Sequence, residues 1–163
     1  METTRVELRE ECRIRGGGTS FGSEPYLVTI CDNVLISSNV QFLTHDGSVH
    51  TIVSQEKYHD KPVHKYGRIV VGENTFIGAN VVILPNVYIG KNCIIGAGSV
   101  VTKSIPDNSV VAGVPARVIN DLESYSEKVI SFMTFDWDNH EYRNNCRNYL
   151  LKILPEPEHM INQ

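Results

Sequence analysis

Residues 71–106 read "VGENTF IGANVV ILPNVY IGKNCI IGAGSV VTKSIP", six consecutive blocks of six. The first place in each block is a branched aliphatic: Val71, Ile77, Ile83, Ile89, Ile95, Val101. The fifth is mostly small or β-branched (Thr75, Val81, Val87, Cys93, Ser99, Ile105), and the fourth runs Asn74, Asn80, Asn86, Asn92, Gly98, Ser104. Strand side chains alternate, so first and fifth places share a face, and β-branched residues suit it. Asn and Gly tolerate left-handed backbone, so one of them every six residues predicts a corner at each. A short strand plus a corner, repeated, predicts a solenoid in which each rung covers the apolar face of the next. Neither an amphipathic helix nor a hairpin meander explains a strict period of six. An earlier pair at residues 30–41, "ICDNVL" and "ISSNVQ", keeps the same pattern, with Asn33 and Asn39 in fourth place.

Outside the repeat the totals exclude more than they assign. At 163 residues the chain reads as one domain with a short appendage. A net charge of −4 gives no sign of the basic excess that nucleic-acid binding needs. The start, "METTRVELREE", has no apolar signal core, and no run is long enough to span a bilayer, which predicts a cytoplasmic protein. Cys12, Cys31, Cys93 and Cys146 are scattered without a CxxC pair, so free and mostly buried thiols are expected.

The repeat then breaks. From Phe42 the next apolar anchor should lie a multiple of six away, yet the pattern resumes 29 residues later at Val71. Residues 44–69 must therefore leave the wall as a long loop, and loops of that length in compact domains are usually functional or mobile. The loop holds His45, His50, His59 and His64, four of six histidines. His45 follows "FLT" where a strand ends, so the wall should anchor its backbone while its ring projects. A neutral imidazole with an ordinary pKa of about 6.5 accepts a proton near neutral pH. Asp46, in "HDG", reads equally as a turn residue or as the group that orients this ring. Glu24, in "SEPYL", falls on a first-place slot that the repeat reserves for an aliphatic, so its carboxylate must be paired or exposed, and it is a second candidate to orient the ring or to bind the acceptor. The histidines also raise a metal reading, but three of the four lie deep in the loop, and a zinc site needs preorganised imidazoles; no metal ligand is assigned.

These hexads resemble the hexapeptide-repeat acyltransferases. The match is most specific at "IGAGSVVTKSIPDNSVVAGVPARVI", similar to the closing segment of the maltose, galactoside and serine acetyltransferase group. "FGSEPYLVTICDNVLISSNVQFLTHDG" resembles bacterial enzymes that O-acetylate surface polysaccharides. The resemblance implies an all-β fold: a left-handed parallel β-helix over residues 1–119, with the long active-site loop at about 44–69. It further implies an acetyl-CoA-dependent O-acetyltransferase, a homotrimer with sites between neighbouring subunits, and a sugar acceptor. The histidine of the family's comparable stretch is the general base, which here is His45. Ala79 and Ala97 match positions that touch acetyl-CoA through main chain, Thr102 and Lys103 the pair near the phosphates, and Arg117 the basic residue at the nucleotide end. Phe76 stands in a slot where relatives often carry Trp, and either walls the channel or packs. Lys and Arg suit phosphates, as a point charge and a bidentate fork respectively.

After "GVPARVI" the hexads stop. Leu122, Tyr125, Val129, Phe132 and Met133 fall near helical spacing, and "CRNYLLKIL" reads as a further turn or two before "PEPE". Residues 120–163 are thus expected to form a C-terminal α-helical extension that caps the last coil, with Phe132, Phe135 and Trp137 as packing residues. The chain lacks the long N-terminal helical extension of the maltose and galactoside enzymes, so acceptor contacts cannot be carried over from them. Two rival readings stay open: N-acetylation of a nucleotide-linked amino sugar, and a non-catalytic or metal-binding hexapeptide protein like the γ-class carbonic anhydrases.

Overall fold

A computed structural model describes residues 5–132 and 138–154; the side chain of Phe132 lies outside that description. The elements run β1 (Glu7–Leu8), β2 (Arg13–Ile14), β3 (Val28–Ile30), β4 (Leu35–Ile36), β5 (Gln41–Phe42) and the short helix α1 (Val49–Val53). There follow β6 (Ile69–Val71), β7 (Phe76–Ile77), β8 (Val82–Ile83), β9 (Val87–Ile89), β10 (Ile94–Ile95), β11 (Val100–Val101), β12 (Ser109–Gly113) and β13 (Ala116–Asp121). The helices α2 (Leu122–Phe132) and α3 (Asn139–Ile153) come last.

Successive strands step round three sheets. One is ordered β1-β3-β6-β9, a second β13-β12-β10-β7-β4-β2, and the third β11-β8-β5. Every pairing is parallel except the closing β12–β13 hairpin. The core fills the space between the sheets, and it is built from the residues that the hexad places predict. Val71, Ile77, Ile83, Ile89, Ile95 and Val101 are fully buried, joined by Val81, Val87 and Cys93 from fifth places. Two polar fifth-place residues are buried with their bonds satisfied. Thr75 Oγ1 donates to the Gly90 carbonyl and accepts from the Cys93 amide; Ser99 Oγ donates to Gly96 and accepts from Gly113.

The corners behave as the fourth places require. Asn33, Asn39, Asn74, Asn80, Asn86 and Asn92 all have φ between 53° and 63°, and Gly98 has 71°. Their side chains add a ladder along one edge: Asn33 donates to Asn74 at 3.0 Å, Asn74 to Asn92 at 2.8 Å, and Asn92 to Asn108 at 3.0 Å. The sequence spacing along this ladder measures the coil. A regular turn is 18 residues, whereas Asn33 and Asn74 are 41 apart. The difference, 41 minus 18, is an insertion of 23 residues, and it leaves the wall between β5 and β6.

Two expectations need correction. Glu24 is not a rung residue. Ser20 bridges Gln41 and Thr29 pairs with Glu7, so the chain spends nine residues from Ser20 to Thr29 where the repeat allots six. The extra three form a 3-10 turn, Pro25–Leu27, with Glu24 at its start. The cysteines are free, but only Cys93 is buried; Cys12 and Cys31 are half-buried and Cys146 is exposed. Burial raises the Cys93 thiol above its usual pKa.

The chain divides into two compact units, Met1–Ser126 and Glu127–Gln163. In the second, α3 begins seven residues ahead of "CRNYLLKIL" because Asp138 caps it, accepting from the amides of His140 and Glu141. The Asp138 amide in turn donates to the Tyr149 hydroxyl at 2.6 Å, and α3 is kinked at Asn145. Met133, Phe135, Trp137 and the "PEPE" segment lie outside the described residues. Among the described residues no helix is long and apolar enough to cross a membrane.

Candidate active site

The three-residue corner extension and the 23-residue loop meet at one edge of the coil. Gly22, with φ 72°, lies against Thr44; a Cβ there would come within 2.5 Å of Thr44 Oγ1, so the close approach depends on glycine. Phe21 stacks on Phe42 at 5.0 Å between ring centroids, which ties the extension to the wall below it. Thr44 is fully buried at the point where the loop departs.

Across this seam Glu24 faces His45. Its Oε2 accepts from Thr44 Oγ1 at 2.7 Å and lies 3.2 Å from His45 Nδ1 and 3.3 Å from Ser23 Oγ. Ser23 Oγ is itself 3.0 Å from His45 Nδ1. The Thr44 hydroxyl, aided by the weaker contacts of His45 and Ser23, holds the Glu24 carboxyl below its usual pKa, against an opposing effect of burial second in size to that of Thr44. An ionised carboxylate only accepts, so Nδ1 must carry the proton. In that tautomer Nε2 presents a lone pair, and the side chain is 48% exposed. The arrangement is a base whose tautomer is set by a carboxylate that is itself held in place.

Asp46 does not take part. Its Oδ2 pairs with Lys65 and its Oδ1 accepts from the Ser48 amide at 2.9 Å, as in an ordinary Asx turn. These contacts, Lys65 first, depress its pKa strongly. Of the two carboxylates considered for orienting the imidazole, the geometry favours Glu24.

The loop is anchored at its neck rather than loose. His45 and Tyr66 form an antiparallel bridge, the Asp46 amide donates to the Lys65 carbonyl, and the Gly67 amide donates to Thr44. Gly67 returns the chain to the wall so closely that a Cβ would strike the Asn86 backbone. Beyond the neck, His50 lies in α1, and His59 is tied to the Glu56 carbonyl and Asp60. Among the described residues no three His, Cys, Asp or Glu side chains converge as metal ligands would.

The coenzyme candidates fall on two edges. Ala79 and Ala97 are stacked neighbours, the Gly98 amide donating to the Ala79 carbonyl at 2.8 Å. Gly78, Gly96 and Ala112 form the adjoining column, and Arg117 pairs with Ala112 across the β12–β13 hairpin. These three candidates therefore share the edge between the second and third sheets. Thr102 and Lys103 follow β11 on the His45 edge, two rungs along, about 10 Å at the usual strand spacing. Phe76, 39% exposed, stands on the outer face of the second sheet in a shallow groove with Arg13, Leu35 and Asn33. Lys103 and Arg117 form no ion pair among the described residues. One sheet width, roughly 20 Å by strand rise, separates the Ala79 edge from His45. The hydroxyls that the repeat pattern did not indicate, Ser23 beside the imidazole and Thr44 donating to Glu24, come from segments about twenty residues apart. The only sequence signal for them was the phase break between Ser20 and Thr29.

Comparison with known proteins places this geometry. Residues 68–103 match the bacterial transferase hexapeptide (six repeats) family. Protein CapG of Staphylococcus aureus is 41% identical over 152 residues, covering 93% of this chain and 85% of that protein. The putative lipopolysaccharide biosynthesis O-acetyl transferase WbbJ of Escherichia coli is 39% identical over 97 residues, 56% of this chain and 49% of WbbJ, so the match spans about half of that relative. A solved galactoside acetyltransferase in complex with coenzyme A superposes with TM-score 0.50 at 26% identity, covering 78% of this chain and 71% of that one. With repeat, fold and relatives in agreement, the chain belongs to the hexapeptide-repeat acetyltransferases, whose coil is a left-handed parallel β-helix.

Proposed function

We propose that this protein transfers an acetyl group from acetyl-CoA directly to a hydroxyl of a sugar, in a surface glycan or its precursor, with His45 as general base. The observation that carries the reading is the contact of Glu24 with His45 Nδ1, which leaves Nε2 as the proton acceptor. As the acceptor oxygen attacks the thioester carbonyl, Nε2 takes its proton. Glu24 stabilises the imidazolium that forms. Collapse of the tetrahedral adduct breaks the C–S bond, and the imidazolium returns the proton to the departing thiolate of coenzyme A. General-base assistance of this kind is worth about 10²–10⁴-fold. Coenzyme A in the galactoside acetyltransferase complex supports acetyl-CoA as the donor, and the name of WbbJ supports a surface glycan as the acceptor.

The donor would lie along the Ala79, Ala97 and Arg117 edge, with Phe76 at its wall and Thr102 and Lys103 toward its phosphates. Because one sheet width separates that edge from His45, a single coil does not join base to thioester. Two coils side by side do, which supports a homotrimer with a site at each junction. On this reading residues 1–119 hold the chemistry and residues 120–163 form a C-terminal helical extension, with the protein working in the cytoplasm where acetyl-CoA is made.

The test is coenzyme A release, read with a thiol reagent, from acetyl-CoA and a panel of sugars. His45→Ala should lower the rate about 10²–10⁴-fold with the melting temperature kept. An unchanged rate removes His45 from the base role. Coenzyme A should raise the melting temperature of the wild type, since a ligand that binds only the folded state stabilises it.

A further inference from the structure

Beside His45 stands an aromatic ring that the proposed chemistry does not use. Tyr66 is 56% exposed, an unusual state for a tyrosine held on both sides by backbone pairing. Its ring centroid lies 6.0 Å from that of His45 and 6.1 Å from that of His64. Its position is fixed three times over: by the bridge to His45, by the Asp46–Lys65 pair next to it, and by Gly67 wedged against Asn86. A large ring kept out of the core, on rigid backbone, one side chain from a base, has the form of a binding platform.

We infer that Tyr66 is the acceptor platform: the apolar C–H face of a pyranose ring lies against its π face, which sets one ring hydroxyl beside His45 Nε2. This rests on the reading of His45 as the base for a sugar acceptor. The ligand class follows from the surroundings. Lys65 is already paired with Asp46, and Tyr66 offers a half-exposed aromatic face bordered by the imidazoles of His45 and His64. Such a face suits an uncharged pyranose. Tyr66 contributes to acceptor binding before and during the reaction alike, so its loss should act on KM for the sugar more than on kcat.

The experiment uses the full chain with methyl β-galactopyranoside and the methyl glycosides of N-acetylglucosamine and glucuronic acid as acceptors, and with wild type, Tyr66→Ala, Tyr66→Leu and Tyr66→Phe. For the pyranoside that the wild type acetylates best, Tyr66→Ala and Tyr66→Leu should raise the acceptor KM by roughly tenfold or more. Their kcat should stay within about threefold and their KM for acetyl-CoA should not change. Tyr66→Phe, which keeps the ring face, should restore the acceptor KM. An acceptor KM unchanged in Tyr66→Ala overturns the inference, as does a rise in the acetyl-CoA KM instead, which would give the ring to the coenzyme. A preference for the glucuronide that vanishes in Lys65→Ala and persists in Tyr66→Ala overturns it as well. If the wild type acetylates none of the three, the sugar-acceptor reading itself has failed, and the platform with it.

Discussion

Two stretches of one coil obey opposite rules. Between residues 71 and 105 every first and fifth place is buried, and each turn takes 18 residues until the last, from Ile89 to Ile105, which takes 16. At the edge formed by Ser20 to Thr29 and Thr44 to Gly67, the chain adds residues, abandons the rung pattern and exposes an imidazole and a phenol. The first stretch shows how little information a solenoid needs: one aliphatic and one Asn per six residues. The second shows where such a fold can hold chemistry. First, fourth and fifth places are committed to the core or the corner, so the base and the carboxylate beside it are carried on insertions. Rigidity comes from anchoring both ends of each insertion to the wall beneath.

If that division is right, damage to the two stretches should be separable. The largest effect belongs to the coil: Ile89→Ala, at a fully buried first place, should cost about 2–5 kcal/mol in denaturant unfolding, and it should affect catalysis only through the folded fraction. Glu24→Gln should do the reverse. The amide keeps a hydrogen-bond acceptor for Nδ1 but loses the charge that stabilises imidazolium, so kcat should fall on the order of tenfold, less than the loss of the base itself, with only a small drop in melting temperature at neutral pH. A melting temperature lowered in step with kcat would mean that Glu24 is structural and that the comparison fails at its central residue.

A smaller effect sharpens the rule for corners. Glu11 has φ 56° on the first turn, at the position where the following turns carry Asn33, Asn74, Asn92 and Asn108. A glutamate gains nothing from left-handed backbone, so Glu11→Asn should stabilise by about 1 kcal/mol, read as a shift in the denaturation midpoint. The smallest effect concerns acid. Glu24, held down first by the Thr44 hydroxyl, and Asp46, held down first by Lys65, both have folded-state pKa values below their ordinary ones. Their contribution to stability is therefore present above about pH 4.5 and is lost as pH falls through the folded-state values. The melting temperature of the wild type should accordingly decline below about pH 4, and that of Glu24→Gln should decline less.

The legibility of the molecule follows the same division. The hexads were readable because each rung repeats a local rule, and neighbours supply identical environments; Val71 to Val101 and the Asn corners stand where the period puts them. Phase also located the loop, since an insertion shows as a broken period. It misplaced Glu24, because counting by six cannot register a three-residue corner extension. It also could not choose between Glu24 and Asp46, which differ in reach across the seam and not in chemistry. Ser23 and Thr44 were invisible for a related reason: hydroxyls are common, and their meaning depends on a contact twenty or more positions away.

From residue order alone came the coil, its corners, its interruption and the one histidine set at the strand end, since all of these depend on interactions within a turn. Only the folded chain decided which carboxylate meets that imidazole, that Tyr66 stands next to it, and that the coenzyme candidates divide between two edges. Those are matters of stacking between rungs, and which residues come to face one another across rungs depends on the length of each insertion, which a repeating pattern does not encode.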